Sequence, residues 1–125
     1  MMSSVTHILL VDDNAINLML MKTLLRSVSP QATISEEKDG EAAVAFARAH
    51  RPDLIFMDIH MPLMDGLEAT KIIRNDTTLS GVRIVGLSAA NTEEEKRQAV
   101  AAGMDDYLVK PVTRSDIESL LAEQA

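Results

Sequence analysis

Short apolar runs recur along the chain, separated by segments of helical length. Ile8–Val11 is the first run, and a helical stretch from about Ala15 to Val28 follows it. Ala32–Ser35, after the breaker pair Ser29-Pro30, is the most weakly marked strand. The turn pair Asp39-Gly40 opens an alanine-rich helix over Glu41–Ala49, and Pro52 bounds the third strand, Leu54–Met57. A helix over Gly66–Asn75 carries Leu67, Ile72 and Ile73 on one side, and Val82–Leu87 is the fourth strand. Thr92, with Glu95 three residues on, reads as a capping box for a helix that stops at Gly103. Tyr107–Val109 is the fifth strand, and Thr113 with Asp116 starts the last helix. The runs are continuously apolar instead of alternating, as strands buried on both faces should be. Five strands alternating with five helices predict an α/β fold with a parallel sheet covered on both faces.

In such sheets ligands bind beyond the carboxyl ends of the strands. The residues that end the strands are Asp12 and Asp13, then Asp58, Ser88 and Lys110. Three carboxylates, a hydroxyl and an ammonium therefore converge on one crevice. Each has a plainer explanation taken alone. Asp13-Asn14 could cap the first helix, Ser88 could bond its own backbone, and Lys110 could be one solvated lysine among several. Asp65-Gly66 reads as a structural turn. Asp58 resists such an explanation, because neither cap nor turn accounts for a carboxylate directly after four apolar residues.

Clustered carboxylates repel, so one must be protonated or a cation must sit among them. An all-oxygen donor set suits Mg²⁺, which keeps much of its hydration and bridges to phosphate. No histidine pair has zinc-like spacing, and His60, two residues beyond Asp58, reads as a surface loop side chain. A carboxylate can act as nucleophile toward phosphorus. Lys110 and Ser88 would then meet the phosphoryl oxygens, and the metal would neutralise their charge.

Composition narrows the possibilities. The 125 residues carry a net charge of −7, with one Tyr, two Phe and no Trp. That balance disfavours phosphate-neutralising contact with nucleic acid and leaves few rings for base or flavin stacking. Cysteine is absent, so neither disulfides nor thiolate metal sites contribute. No basic segment precedes the first apolar run, and no run is long enough to span a membrane. A cytoplasmic protein or module is expected, without membrane contact, as one domain over residues 1–125.

The motifs "LLVDDN", "IFMDIHMPLMDG", "GLSA" and "YLVKP" together resemble the receiver domains of two-component response regulators, over essentially the whole chain. The resemblance implies a flavodoxin-like (βα)5 fold with strand order 2-1-3-4-5. It implies that Asp58 accepts a phosphoryl group from a phosphohistidine, with Asp12 and Asp13 as the acid pair. Asp13 would be the more direct ligand of Mg²⁺ (Mn²⁺ as a substitute), and the backbone carbonyl of His60 would complete the protein's share of its shell. Lys110 resembles the phosphoryl-pairing lysine, with a cis bond to Pro111. Ser88 and Tyr107 resemble the switch hydroxyl and switch aromatic that bias the surface of the fourth helix, fifth strand and fifth helix. His60 and Ala90 occupy places that tune hydrolysis in the family.

The form "VDDNAIN" is most like receivers of hybrid histidine kinases and phosphorelays, so the expected partners are a histidine kinase or a histidine phosphotransfer protein. On the first helix, Ile16, Leu20 and Leu24 read as the inward stripe, while Leu18, Met19 and Met21 extend apolar character around it. Leu18 and Met19 are thus candidates for partner docking, against the plainer reading of scattered surface apolar residues. Two rivals use a similar strand-end Asp. A haloacid dehalogenase-type phosphatase would need a second Asp where His60 stands, and a module that works without phosphorylation would not need the full set of five. A signalling phosphoprotein, not an enzyme, is expected. It would be a monomer or a weak phosphorylation-dependent dimer, and the given chain shows no output domain.

Overall fold

The structure, a computed structural model, describes residues 7–123. Residues 1–6 and 124–125 lie outside the described residues. The elements run β1 (His7–Val11), α1 (Ala15–Val28), β2 (Thr33–Glu37), α2 (Gly40–His50), β3 (Leu54–Asp58), α3 (Gly66–Arg74), β4 (Arg83–Ser88), α4 (Glu93–Ala102), β5 (Asp106–Val109) and α5 (Arg114–Ala122). A 3-10 turn, Thr77–Leu79, sits before β4 and was not expected from the sequence. The strands pair in parallel in the order β2-β1-β3-β4-β5, as the resemblance implied. No helix among the described residues is long and apolar enough to cross a membrane.

Alternate residues of each central strand feed two separate cores. Leu9, Val11, Ile55, Met57 and Ile84 pack under α2, α3 and α4. Ile8, Leu10, Leu54, Phe56 and Val85 pack under α1 and α5. That is why β1 is apolar from Ile8 to Val11 and β3 from Leu54 to Met57: both faces are dry. β2 is an edge strand, and its run extends to Glu37, two residues past the expected end at Ser35. Its Glu36 stays in the strand by pairing with Lys22 of α1 at 2.7 Å.

Polar caps fix the helix starts. Asn14, Asp39 and Asp65 each accept backbone N–H bonds from the first turn of α1, α2 and α3. Asp65 is therefore the N-cap of α3 as well as part of a turn. Thr113 and Asp116 form a reciprocal capping box on α5. Thr92 accepts from the Glu95 N–H on α4, but the Glu95 side chain turns elsewhere.

The facing of α1 corrects the sequence reading. Leu18, Met21 and Leu25 form the buried stripe, whereas Ile16 and Leu20 are 62% and 58% exposed and Leu24 is half-buried. Leu18 is 3% exposed, a core residue that cannot serve as a docking side chain. Met19, at 59% exposed, does face solvent. The helix carries two overlapping apolar stripes, at i, i+3, i+7 from Leu18 and at i, i+4, i+8 from Ile16. Periodicity alone could not decide which of them faces the sheet.

Candidate functional site

Register brings the strand ends together. Val11 lies opposite Met57, so the next residues, Asp12 and Asp58, leave the sheet side by side. Asp58 lies opposite Leu87, and Ser88 opposite Val109, which places Lys110 just beyond. The crevice opens where the chain order reverses, since β1 stands between β2 and β3.

Asp12 and Asp58 are each 4% exposed, and Asp13 is exposed. Lys110 Nζ bridges the two buried carboxylates, 3.2 Å from Asp12 Oδ2 and 3.3 Å from Asp58 Oδ1. Asp12 Oδ1 also accepts from the Asn14 N–H at 2.9 Å, and Asp58 Oδ1 from the His60 N–H at 3.4 Å. The Lys110 backbone N–H donates to the Ser88 carbonyl at 2.8 Å, so the last two strands hold both residues at the rim. The bond from Lys110 to Pro111 is cis, as the resemblance implied.

The electrostatics show what Lys110 leaves uncompensated. Burial, and next the neighbouring Asp12 charge, push the Asp58 carboxyl above its ordinary range; Lys110 and the His60 N–H oppose this only in part. One carboxylate oxygen from each of Asp12, Asp13 and Asp58 lies within 4.8 Å of the others. Three hard oxygen donors at that spacing, with one lysine to offset them, fit a small divalent cation of the Mg²⁺ or Mn²⁺ type.

Ser88 is fully buried, and its hydroxyl accepts from the Ala90 N–H at 3.0 Å. Tyr107 is half-buried; its hydroxyl lies against the Ala90 carbonyl and 2.7 Å from Glu95 Oε1. The other oxygen of Glu95 meets His60 Nε2 at 2.7 Å. Here the sequence reading needs two corrections. The His60 imidazole has a partner, and Glu95 belongs to the site's surroundings instead of serving only as a cap. Burial alone would raise the Glu95 carboxyl, but hydrogen bonds from Ser88 and Tyr107, with His60 alongside, outweigh it and hold the group below its usual range. Burial and the Glu95 charge push the Tyr107 phenol up.

A groove of about 300 Å³ runs from Asp12 and Lys110 between α1 and the β5–α5 connection. Leu20, Met21, Leu24 and Val112 line its walls. Ile16 and Met19 are exposed on the same helix, and Met19 lines a separate depression beside Glu36 and Lys38.

The family model described as the response regulator receiver domain matches residues 8–122. The sensor protein GacS of Pseudomonas syringae pv. syringae is 38% identical over 95% of this chain, a stretch that covers only 13% of that protein. Among solved structures, the receiver domain of sensor histidine kinase PA1611 from Pseudomonas aeruginosa PAO1 has a TM-score of 0.86 at 34% identity, covering 95% of this chain and 96% of that one. That structure has a magnesium ion coordinated in its active-site cleft. The receiver domain of Saccharomyces cerevisiae Ssk1, solved with the histidine phosphotransfer protein Ypd1, has a TM-score of 0.88 at 30% identity over 99% of this chain and 91% of that one. A family match across nearly the whole chain, a shared strand order and a crevice of acidic residues lead to one conclusion: this chain belongs to the response regulator receiver domain family, a signalling module of two-component and phosphorelay systems.

Proposed function

We propose that the chain acts in the cytoplasm as a single phospho-acceptor receiver domain, and that Asp58 is the residue phosphorylated. The observation that carries this reading is the pairing of a buried, destabilised carboxylate with Lys110 and two further carboxylates at one sheet edge. A carboxylate oxygen of Asp58 attacks phosphorus as the P–N bond of a phosphohistidine donor breaks, and the electron pair leaves on the imidazole nitrogen. Lys110 Nζ, already between Asp12 and Asp58, can pair with a phosphoryl oxygen without repositioning its stem. Asp12, Asp13, Asp58 and the His60 carbonyl would hold Mg²⁺, whose chemistry is to offset charge on the transferred group. Ser88 then turns toward the phosphoryl group, Tyr107 follows, and the surface formed by α4, β5 and α5 changes state. The protein is a signalling phosphoprotein without a turnover reaction on an external substrate.

Incubation with acetyl phosphate and Mg²⁺, followed by intact-mass measurement, tests the reading. One phosphoryl group should be added, and chelating the metal should prevent it. An unchanged mass under both conditions would leave only a binding module that works without phosphorylation.

The partner reading is a histidine phosphotransfer protein or a kinase's phosphohistidine domain, docking over α1 and the groove beside Asp12. The exposed trio Ile16, Met19 and Leu20 supports it, because these large apolar side chains face solvent on α1 and Leu20 also lines the groove that ends at the acidic site. The double variant Ile16→Lys, Met19→Lys should slow phosphotransfer from such a partner about tenfold, the scale of one or two lost apolar contacts. Its reaction with acetyl phosphate should be unchanged. Equal slowing with both donors would place the effect in the fold and not in docking.

A further inference from the structure

Glu95 is one of three consecutive glutamates that open α4, and it alone of the three is buried, at 9% exposed. A first-turn glutamate gains from the helix dipole while staying in water. This one leaves water and gathers groups from three other elements. Oε2 meets His60 Nε2 from the β3–α3 loop at 2.7 Å, and Oε1 accepts from Tyr107 of β5 at 2.7 Å. Ser88, at the end of β4, stands close enough for its hydroxyl to help hold the Glu95 carboxyl low. Tyr107 has one hydroxyl proton but faces two acceptors, Glu95 and the Ala90 carbonyl, so it cannot fully satisfy both.

We propose that Glu95 is a positioning residue that latches the resting state: its carboxylate holds the Tyr107 hydroxyl and the His60 imidazole together beside Ser88, and phosphorylation must release Tyr107 from that grip. The inference rests on the reading of Asp58 as the acceptor. An anionic phosphoryl group on Asp58 would take the Ser88 proton and draw Ser88 away from Tyr107 and Glu95. When Ser88 leaves, Tyr107 loses a neighbour and its second acceptor becomes its better one, so the α4–β5 surface shifts with it. The same carboxylate reaches the rim through His60. Glu95 therefore ties the phosphoryl site to the responding surface through two separate bonds.

Tyr107 is the sole tyrosine and the chain has no tryptophan, so intrinsic emission reports this one ring. A carboxylate that accepts the phenol's proton quenches that emission. Glu95→Ala should raise emission in the unphosphorylated protein, and Glu95→Gln, which keeps the volume, should raise it less. Both should bind beryllofluoride with Mg²⁺ more tightly than the wild type, by about tenfold for Glu95→Ala, the scale of one charge-assisted hydrogen bond. Wild-type emission should rise on adding beryllofluoride, and the Glu95→Ala signal should stay level. Unchanged emission in both unphosphorylated variants, or beryllofluoride affinity equal to the wild type, would overturn the latch. Absence of a phosphoryl adduct on the wild type would instead overturn the acceptor reading, while the emission of the unphosphorylated variants would still judge the contact.

Discussion

Asp58→Asn should abolish phosphoryl incorporation from acetyl phosphate and, in metal-free buffer, should melt several degrees above the wild type. The first effect follows because an amide is no nucleophile toward phosphorus at neutral pH. The second follows from linkage. In the folded protein, burial and Asp12 hold the Asp58 carboxyl above its ordinary value of 3.8. A carboxyl whose folded value exceeds its unfolded one contributes stability while protonated and loses that contribution as pH rises through the folded value. Asn cannot ionise, so the variant avoids the loss. Its advantage should be small below pH 3.8, grow as pH rises past that value and level off once Asp58 is fully ionised. Lys110 keeps Asp12 as a partner, so no buried charge is stranded by the substitution.

Mg²⁺ should reverse the ranking. A ligand held at about a hundred times its dissociation constant stabilises the folded state by about 2.7 kcal/mol. The wild type should gain that amount, and the variant, with one oxygen donor weakened, should gain less. Thermal melts with and without Mg²⁺, at several pH values, check both halves. An adduct that persists in Asp58→Asn would remove Asp58 as acceptor, and an equal Mg²⁺ response would remove it from the metal site.

Such a site is legible in a sequence because its cost is legible. Asp58 follows Leu54-Ile55-Phe56-Met57, all four of them fully buried, and a carboxylate there has no ordinary structural excuse. Parallel topology then sends every strand end to one edge, which gathers Asp12, Asp58, Ser88 and Lys110. The central strands were equally clear, since burial on both faces leaves only apolar residues. β2 was less so: an edge strand tolerates Glu36 and Glu37, whose side chains find solvent or Lys22.

What stayed hidden depends on which way a helix is turned. Glu95 sits in the run Glu93-Glu94-Glu95, where acids suit a helix N-terminus in water. Only the positions of His60 and Tyr107 draw one of them inward. On α1 the difficulty was ambiguity, because an apolar residue on either stripe fits the core equally well on paper. Leu18 went inside and Ile16 outside because of how α1 lies against β1 and α5. That placement removes Leu18 from the expected pair Leu18 and Met19, and leaves Ile16, Met19 and Leu20 as the proposed docking surface.

Gly66→Ala should be the most damaging single-methyl change, costing about 3 kcal/mol and lowering the melting temperature by about 10 °C. The cause is space and not backbone conformation. Gly66 is the first residue of α3, where alanine would otherwise suit a helix. A Cβ there would lie 2.2 Å from the Asp58 carbonyl oxygen and 2.9 Å from Ile59 Cα. Both are backbone atoms at the end of β3, so no side chain can rotate to make room. The Gly66 N–H also bonds the Ile59 carbonyl at 2.9 Å and closes the loop that carries His60. Relief must come from lifting the start of α3 off β3, and that moves Asp58 and the His60 backbone together. Mg²⁺ affinity should therefore fall along with stability, although the substituted residue touches no proposed ligand side chain. Gly81→Ala is the matched control, since a Cβ there meets nothing within 4 Å. It should stay within about 0.5 kcal/mol of the wild type, the range of an ordinary surface change. If Gly66→Ala melts alongside Gly81→Ala, α3 does not press on the acceptor strand as closely as described. If it melts early but binds Mg²⁺ as the wild type does, the contact supports the fold without setting the geometry of the site.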